Sequence, residues 1–150
     1  MNDEKIYSVN LEKHSTKSVS TGMENGSLTV VWRDWDKILK NEPKMVYVSS
    51  VNKGEIKGPH NHKKRNSYLI CIHGKVVFVI KNENGEYVEI VSDSDNPKMI
   101  IVPKNTASAH LNLSDEISRV LVLADIAWRP NDDEMVNVEF DNYDWNKWKK

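Results

Sequence analysis

Short apolar runs recur along the whole chain, and turn residues separate them. One run spans residues 45–51 (MVYVSSV) and ends before Gly54, and another spans 75–80 (KVVFVI) and ends before Gly85. Runs of this length, rich in β-branched residues and bounded by Gly and Asn, are typical of strands joined by tight turns. The pattern therefore predicts an all-β, antiparallel sandwich or barrel. The predicted strands span residues 27–32, 45–51, 68–72, 75–80, 87–91, 99–102, 119–124 and 135–140.

One segment has a helical pattern. Residues 34–41 (DWDKILKN) carry apolar side chains at helical spacing, with acidic residues early and lysines late. We therefore expect a single domain with one short helix. Its predicted parts are an N-terminal arm (1–25), a β-barrel (26–145) and a polar C-terminal tail (146–150) that frays.

The balance of charge argues against nucleic acid or a membrane as a partner. Lys and Arg total 21 and Asp and Glu total 22, giving a net charge of −1, so no strong basic field is present. No apolar run approaches the length of a membrane span, and the first ten residues lack an apolar signal core. The single cysteine, Cys71, has no disulfide partner within the chain, so we expect a cytoplasmic location.

Two histidines, His60 and His62, stand two positions apart. In an extended segment both side chains point to the same face, which in a barrel is the interior. Imidazoles placed together there suit either metal binding or proton transfer near neutral pH. A pair of exposed polar residues on an edge loop is the third interpretation that the spacing allows.

The spacing around these histidines resembles the first motif of the cupin superfamily. Gly54 is followed after five residues by His60-Asn61-His62, and Gly74 comes after the next predicted strand. The resemblance implies a single-domain cupin fold, an antiparallel jelly-roll barrel.

The metal site of the cupins is less well matched. Metal-binding cupins place a Glu four or five residues after the second histidine, where this chain has Asn66 and Ser67. The second cupin motif is represented by His110, which follows a proline but lacks the motif's glycine. We therefore expect no metal, although three histidines (His60, His62 and His110) keep a metal-dependent enzyme as an alternative.

A longer segment, residues 57–80 (KGPHNHKKRNSYLICIHGKVVFVI), is similar to the histidine signature of the dTDP-sugar 3,4-ketoisomerases. Weaker matches extend this resemblance over residues 26–145. It implies a metal-independent, cofactor-free isomerase of a nucleotide-diphosphate sugar that carries a 4-keto-6-deoxy sugar. Such enzymes supply deoxysugars for cell-surface polysaccharides, and small cupins of this kind often form homodimers.

The resemblance also implies roles for individual residues. His60 would be the base, His62 would orient the sugar or relay a second proton, and Tyr47 would hydrogen-bond the developing enediolate. Lys57 and Arg65 are candidates for holding the diphosphate.

Four further residues complete the predicted substrate site. Ser67 stands where the family has glutamine, and His110 is expected at the barrel mouth. Trp128 or Tyr143 would stack on the nucleotide base.

A neighbouring family, the dTDP-4-dehydrorhamnose 3,5-epimerases, offers the main alternative function. Segments 128–130 and 134–145 resemble its C-terminal pattern, but its catalytic tyrosine falls at or next to Leu123 and its lysine falls near Tyr68. An epimerase needs an acid on the sugar face opposite its base, and this chain lacks that tyrosine. A non-catalytic sugar-binding cupin is the remaining alternative.

Overall fold

The computed structural model describes residues 5–149, and the regular elements in that range are almost all strands. They are β1 (Ser8–Asn10), β2 (Lys13–Lys17), β3 (Glu24–Thr29), β4 (Met45–Val51), β5 (Ile56–His62), β6 (Ser67–His73), β7 (Lys75–Lys81), β8 (Tyr87–Asp93), β9 (Lys98–Val102), β10 (Ala107–Asn112), β11 (Ser118–Ala124), β12 (Met135–Asn137) and one 3₁₀ turn (Trp145–Trp148).

Two five-stranded antiparallel sheets face each other. Sheet I has the order β1-β9-β6-β11-β4 and sheet II has the order β12-β5-β10-β7-β8, while β2 and β3 form a separate hairpin. The prediction of an all-β antiparallel barrel is confirmed. Within the predicted N-terminal arm, β1 joins sheet I as its edge strand by pairing with β9.

The apolar run of β7 shows where the core lies. Val76, Phe78 and Ile80 are buried between the two sheets, whereas Val77 and Val79 point to the outer face of sheet II. Because side chains alternate along a strand, a continuous apolar run means that both faces of this strand are covered. Sheet II is therefore a layer in the middle of the molecule at β7.

Segment 34–41 forms turns and bends, so the predicted helix there is wrong. Arg33 donates its backbone N–H to the Asp36 carboxylate at 2.8 Å, and Lys40 donates its backbone N–H to the Tyr68 hydroxyl at 3.3 Å. The Tyr68 hydroxyl thus takes a backbone donor that a helix over residues 34–41 would pair with the carbonyl four residues earlier. The segment instead covers the outer face of sheet I, where Leu39 is buried against Tyr68.

The C-terminal tail is ordered at Trp148, so the prediction that it frays is wrong there. The Trp148 indole N–H donates to the Tyr143 hydroxyl at 2.8 Å, and the ring packs on the outer face of sheet II with Phe140 and Trp145. The apolar outer face of β7 supplies the reason, since it must be covered.

No helix within residues 5–149 has the length and apolar character needed to cross a bilayer.

Replacing Gly58 of β5 tests how tightly the histidine segment packs against β10. Its φ is +87°, and an added Cβ would lie 2.8 Å from the Ser108 carbonyl oxygen. Gly85, with φ +78°, has open space around it. We expect G85A to cost about 1 kcal/mol of unfolding free energy from backbone strain alone. G58A should cost about 1–3 kcal/mol more because of the clash. Urea denaturation measures both, and equal losses would contradict the tight β5–β10 contact.

Candidate functional site

A cavity of about 330 Å³ opens between the two sheets, at the lower end of the size range for small-molecule sites. It collects eight of the nine residues predicted from the sequence: Tyr47, Lys57, His60, His62, Arg65, Ser67, His110 and Trp128. The predicted residues therefore form one site, with one exception described below.

The strand β5 places His60 and His62 on the same side, facing the cavity. It lies between β10 and β12 in sheet II, with His60 opposite Ser108 on one side and opposite Asn137 on the other. Tyr47 and Ser67 reach the cavity from β4 and β6 of sheet I. A ligand in the cavity would therefore contact histidines from one sheet and a tyrosine from the other.

His60 is oriented by an amide. Its Nδ1 lies 2.9 Å from the Oδ1 of Asn137, an arrangement in which Nδ1 carries the proton and donates it. In the neutral form of the ring, Nε2 is then the acceptor nitrogen, and no group in residues 5–149 hydrogen-bonds to it. His60 thus lines the cavity with an available proton acceptor.

His62 is oriented by a carboxylate. Its Nδ1 donates to the Oε2 of Glu134 at 2.8 Å, and both side chains are largely buried. Burial raises the pKa of Glu134, but hydrogen bonds from His62 and from the backbone N–H groups of Lys64 and Arg65 outweigh it and bring that pKa below its usual value. Burial, together with the positive charge of Arg65, lowers the pKa of His62 despite the Glu134 hydrogen bond. The pair is therefore a neutral imidazole beside a carboxylate at neutral pH.

Arg65 connects His62 with Tyr47. Its Nη2 donates to the Tyr47 hydroxyl at 2.8 Å and to the His62 Nε2 at 3.0 Å, and its Nε donates to the Ser67 hydroxyl at 3.0 Å. Lys57, the other basic residue lining the cavity, donates to the Ser49 hydroxyl at 2.8 Å. Both cations are thus held on neutral acceptors.

His110 lies deeper and is buried against Phe78, with 5.6 Å between the ring centroids. Burial, with smaller contributions from Lys57 and His60, lowers the pKa of His110 to about 4. Its Nε2 has no hydrogen-bond partner in the described chain. His110 is therefore a neutral residue at the floor of the cavity near neutral pH.

The two aromatic residues predicted to stack on a nucleotide base are in different places. Trp128 lies at the edge of the cavity and is 68% exposed. Tyr143 lies on the outer face of sheet II, packed against Tyr87 and Trp145, and its hydroxyl donates to Glu89 at 3.0 Å. Burial, with the Glu89 contact, raises the pKa of Tyr143 to about 12. The structure therefore places Tyr143 outside this cavity, because the outer face of β7 needs apolar cover.

Glu134 and Asn137 are the two site residues whose role the sequence did not reveal. They stand 72 and 77 positions from the histidines that they contact. The alternation of residues 135–140 predicts a strand there, and its first part is β12. Nothing in that alternation identifies β5 as its neighbour, so the local sequence does not predict the pairing of β12 with β5.

Asn66 is one of the two positions, with Ser67, at which the sequence analysis aligned the metal-binding glutamate of the cupins. The Asn66 side chain donates to the Asp125 carboxylate at 2.8 Å and accepts from the backbone N–H of Lys104 at 3.0 Å. Asn66 does not line the cavity. Among residues 5–149, no group of three or more His, Cys, Asp or Glu has an arrangement that would hold a metal ion.

Comparison with known proteins supports this description of the fold. The model of the family described as "FdtA: WxcM-like, C-terminal" matches residues 10–144. No curated protein sequence is significantly similar to the chain.

Several solved structures share the fold. The capsular polysaccharide assembling protein CapF from Staphylococcus aureus is 22% identical, with a TM-score of 0.61 over 66% of this chain and 29% of CapF. The chain thus spans less than a third of CapF. A dTDP sugar isomerase from Desulfovibrio desulfuricans G20 is 15% identical, with a TM-score of 0.72 over 90% of this chain and 85% of that one. The dTDP-6-deoxy-D-glucose-3,5-epimerase RmlC from Legionella pneumophila is 14% identical, with a TM-score of 0.70 over 87% and 71%.

Replacing Glu134 with Gln tests the carboxylate that orients His62. The folded-state pKa of Glu134 is lowered, so its charge stabilises the fold above the unfolded pKa of about 4.3. That stabilisation is lost as the pH falls through the folded pKa. We expect E134Q to reduce the unfolding free energy at neutral pH by about 1–3 kcal/mol. The acid dependence of stability should also become shallower.

Urea denaturation at a series of pH values measures both effects. Glu139→Gln, an exposed carboxylate two residues beyond β12, is the matched control and should change little. A pH profile of E134Q identical to that of E139Q would contradict the assigned role of Glu134.

Proposed function

We propose, from the premise that the chain belongs to the FdtA (WxcM-like, C-terminal) family, that it isomerises a nucleotide-linked 4-keto-6-deoxy sugar. The family resemblance predicted from the sequence is confirmed by the match over residues 10–144. The observation that carries the proposal is the orientation of His60, whose Nδ1 is held by Asn137 while its Nε2 accepts no hydrogen bond from residues 5–149. A general base needs such an imidazole nitrogen within reach of the substrate.

The proposed reaction is a 3,4-ketoisomerisation through an enediol. The C3–H bond of a 4-keto sugar is acidic because the resulting charge is shared with the C4 carbonyl oxygen. His60 Nε2 removes the C3 proton, and the C4 oxygen gains a proton to give the enediol. The C3 hydroxyl then loses its proton and becomes the carbonyl, while C4 gains a hydrogen. The sugar is neither oxidised nor reduced overall, so the step needs no redox partner.

Four residues contribute further roles in this proposal. Tyr47, from the sheet opposite His60, donates a hydrogen bond to the developing enediolate oxygen. His62, whose proton is held on Nδ1 by Glu134, orients the sugar or relays the second proton. Lys57 and Arg65 hold the diphosphate as local cations, since the chain has no overall basic field.

The remaining contacts would fix the two ends of the substrate. Ser67 and His110 lie inside the cavity and can hydrogen-bond sugar hydroxyls, while exposed Trp128 can stack on the nucleotide base at the edge. By analogy with what the CapF name describes, the product would serve polysaccharide assembly.

A 3,5-epimerase is the second candidate, and one observation favours it. Tyr47 and His60 come from opposite sheets, as an epimerase needs for an acid and a base on opposite sugar faces. The epimerase-family positions themselves do not provide that acid. Leu123 and Tyr68 both lie on the outer face of sheet I, while Val122 and Ser67 line the cavity in their place.

Deuterium incorporation distinguishes these functions. With dTDP-4-keto-6-deoxyglucose in heavy water, we expect the ketone to move to C3 and deuterium to appear at C4, both followed by NMR. Label at both C3 and C5 with the ketone unmoved would favour epimerisation. No label would support a non-catalytic binding protein, and a stoichiometric metal in the purified protein would overturn the metal-free mechanism.

His60→Asn should reduce the exchange rate at least ~100-fold, because a general base contributes about that much or more. His73→Asn is the matched control, since His73 lies outside the cavity and pairs with Glu116. Its exchange rate should equal that of the unmodified protein. Full exchange by H60N would refute His60 as the base.

We also propose that the chain acts as a cytoplasmic homodimer. The hairpin β2–β3 is exposed along almost its whole length, yet an isolated two-stranded hairpin is marginally stable in water. The edge strand β4 of sheet I presents Val46 and Val48, each more than half exposed, beside unpaired backbone groups. A second copy placing its hairpin against β4 would satisfy both. The single cysteine, Cys71, is buried and unpaired, which is compatible with a reducing compartment.

Val48→Lys should shift the dimer toward monomer in sedimentation velocity, because it places a charge on the proposed contact. Ile6→Lys changes an exposed apolar residue beside β1, at the opposite edge of sheet I. It should leave association unchanged. A monomeric parent protein, or equal effects of the two variants, would refute the β4 interface.

A further inference from the structure

The guanidinium of Arg65 donates hydrogen bonds to two other site residues at once. A single nitrogen, Nη2, donates both to the Tyr47 hydroxyl (2.8 Å) and to the His62 Nε2 (3.0 Å). The contact to the Ser67 hydroxyl through Nε holds the guanidinium in place. Arg65 is therefore the common partner of the acid and relay groups of the proposed reaction.

This arrangement leaves His62 without a nitrogen that can take a proton. Nδ1 already carries a proton and donates it to Glu134, and Nε2 is covered by a donor that does not release its proton at any physiological pH. The Tyr47 hydroxyl likewise accepts from Arg65, which fixes its orientation. Of the two histidines on β5, His60 is then the one whose Nε2 accepts no hydrogen bond from residues 5–149.

The chemistry of Arg65 indicates what would remove it. Guanidinium groups bind phosphate oxygens through two parallel hydrogen bonds, which are stronger than bonds to a neutral imidazole or hydroxyl. Nη1 donates to no group in residues 5–149, so one arm of the fork is ready for a first phosphate contact. A second contact through Nη2 requires that nitrogen to leave Tyr47 and His62.

We propose that Arg65 is a cap that the substrate must displace: the diphosphate of the nucleotide sugar draws the guanidinium away and frees His62 and Tyr47 together. This inference rests on the proposed function and specifies its substrate class. A keto sugar without a diphosphate would enter the cavity but leave the cap in place. Arg65 is thus a positioning residue that links recognition of the anion to the availability of the relay groups.

Nitrogen NMR of ¹⁵N-histidine-labelled protein reports the cap directly. The His62 resonances are assigned by comparison with a His62→Gln variant. Saturation with dTDP or UDP should move His62 Nε2 downfield, the direction for an unprotonated imidazole nitrogen that loses a donated hydrogen bond. Thymidine, which lacks the phosphates, should leave it in place. If neither nucleoside diphosphate moves the Nε2 resonance, or if thymidine moves it equally, the cap does not exist.

Two variants sharpen the result. Arg65→Gln should have the downfield Nε2 position before any ligand is added, and dTDP should then produce no further shift. Lys63→Gln removes a neighbouring exposed charge that does not line the cavity, and it should respond to dTDP as the parent protein does. A parent-like Nε2 position in Arg65→Gln would refute the cap, and the parent protein's response to dTDP tests it even if this variant fails to fold.

The deuterium experiment separates this inference from the proposed function. Exchange into the sugar by a protein whose His62 does not respond to dTDP would overturn the cap and leave the isomerase standing. A His62 response without any exchange would support displacement by a diphosphate and overturn the isomerase.

Discussion

The short pairing between β12 and β5 is the contact on which the site depends. Its register places Asn137 opposite His60 and Met135 opposite His62, so Glu134 arrives at the His62 ring. The same carboxylate accepts the backbone N–H groups of Lys64 and Arg65. One acidic side chain thus sets the orientation of an imidazole and the path of the loop that follows β5. The position of the Arg65 side chain, and through it that of Tyr47, follows from that path.

The surroundings of His62 and His110 keep these two imidazoles neutral near neutral pH. Burial and nearby positive charge lower the pKa values of His62 and His110, and the ionised Glu134 is held by hydrogen-bond donors. A nearly neutral chain has no long-range field to attract an anion. Affinity for the diphosphate of the proposed substrate must therefore come from contacts made inside the cavity, where a lower effective dielectric strengthens each charge–charge interaction.

The sequence predicted the parts of this protein that depend on local pattern. The alternation and length of the apolar runs predicted β4 over the residues that form it, and the two-residue spacing of His60 and His62 predicted their common face. The sequence did not predict two kinds of feature. Segment 34–41 has helical spacing, but contacts with Tyr68 from a distant strand decide its conformation. Glu134 is paired with a strand far away in the chain, and no periodicity encodes which strands become neighbours. Tyr143 followed a family-like pattern, and the need to cover β7 decided its place.

The aromatic cluster on the outer face of sheet II influences how long the site histidines keep their hydrogen-bond partners. Phe140, Tyr143, Trp145 and Trp148 follow β12 directly in the chain and hold the segment after it against the sheet. A three-residue strand has few hydrogen bonds of its own, so its residence on β5 is governed by this cluster. The fraction of time in which His60 and His62 keep their hydrogen bonds to Asn137 and Glu134 is then set by the local opening equilibrium of the C-terminal segment. The orientation of the site histidines and the order of the last residues become one cooperative property, although the aromatic rings lie on the far side of the sheet from the cavity.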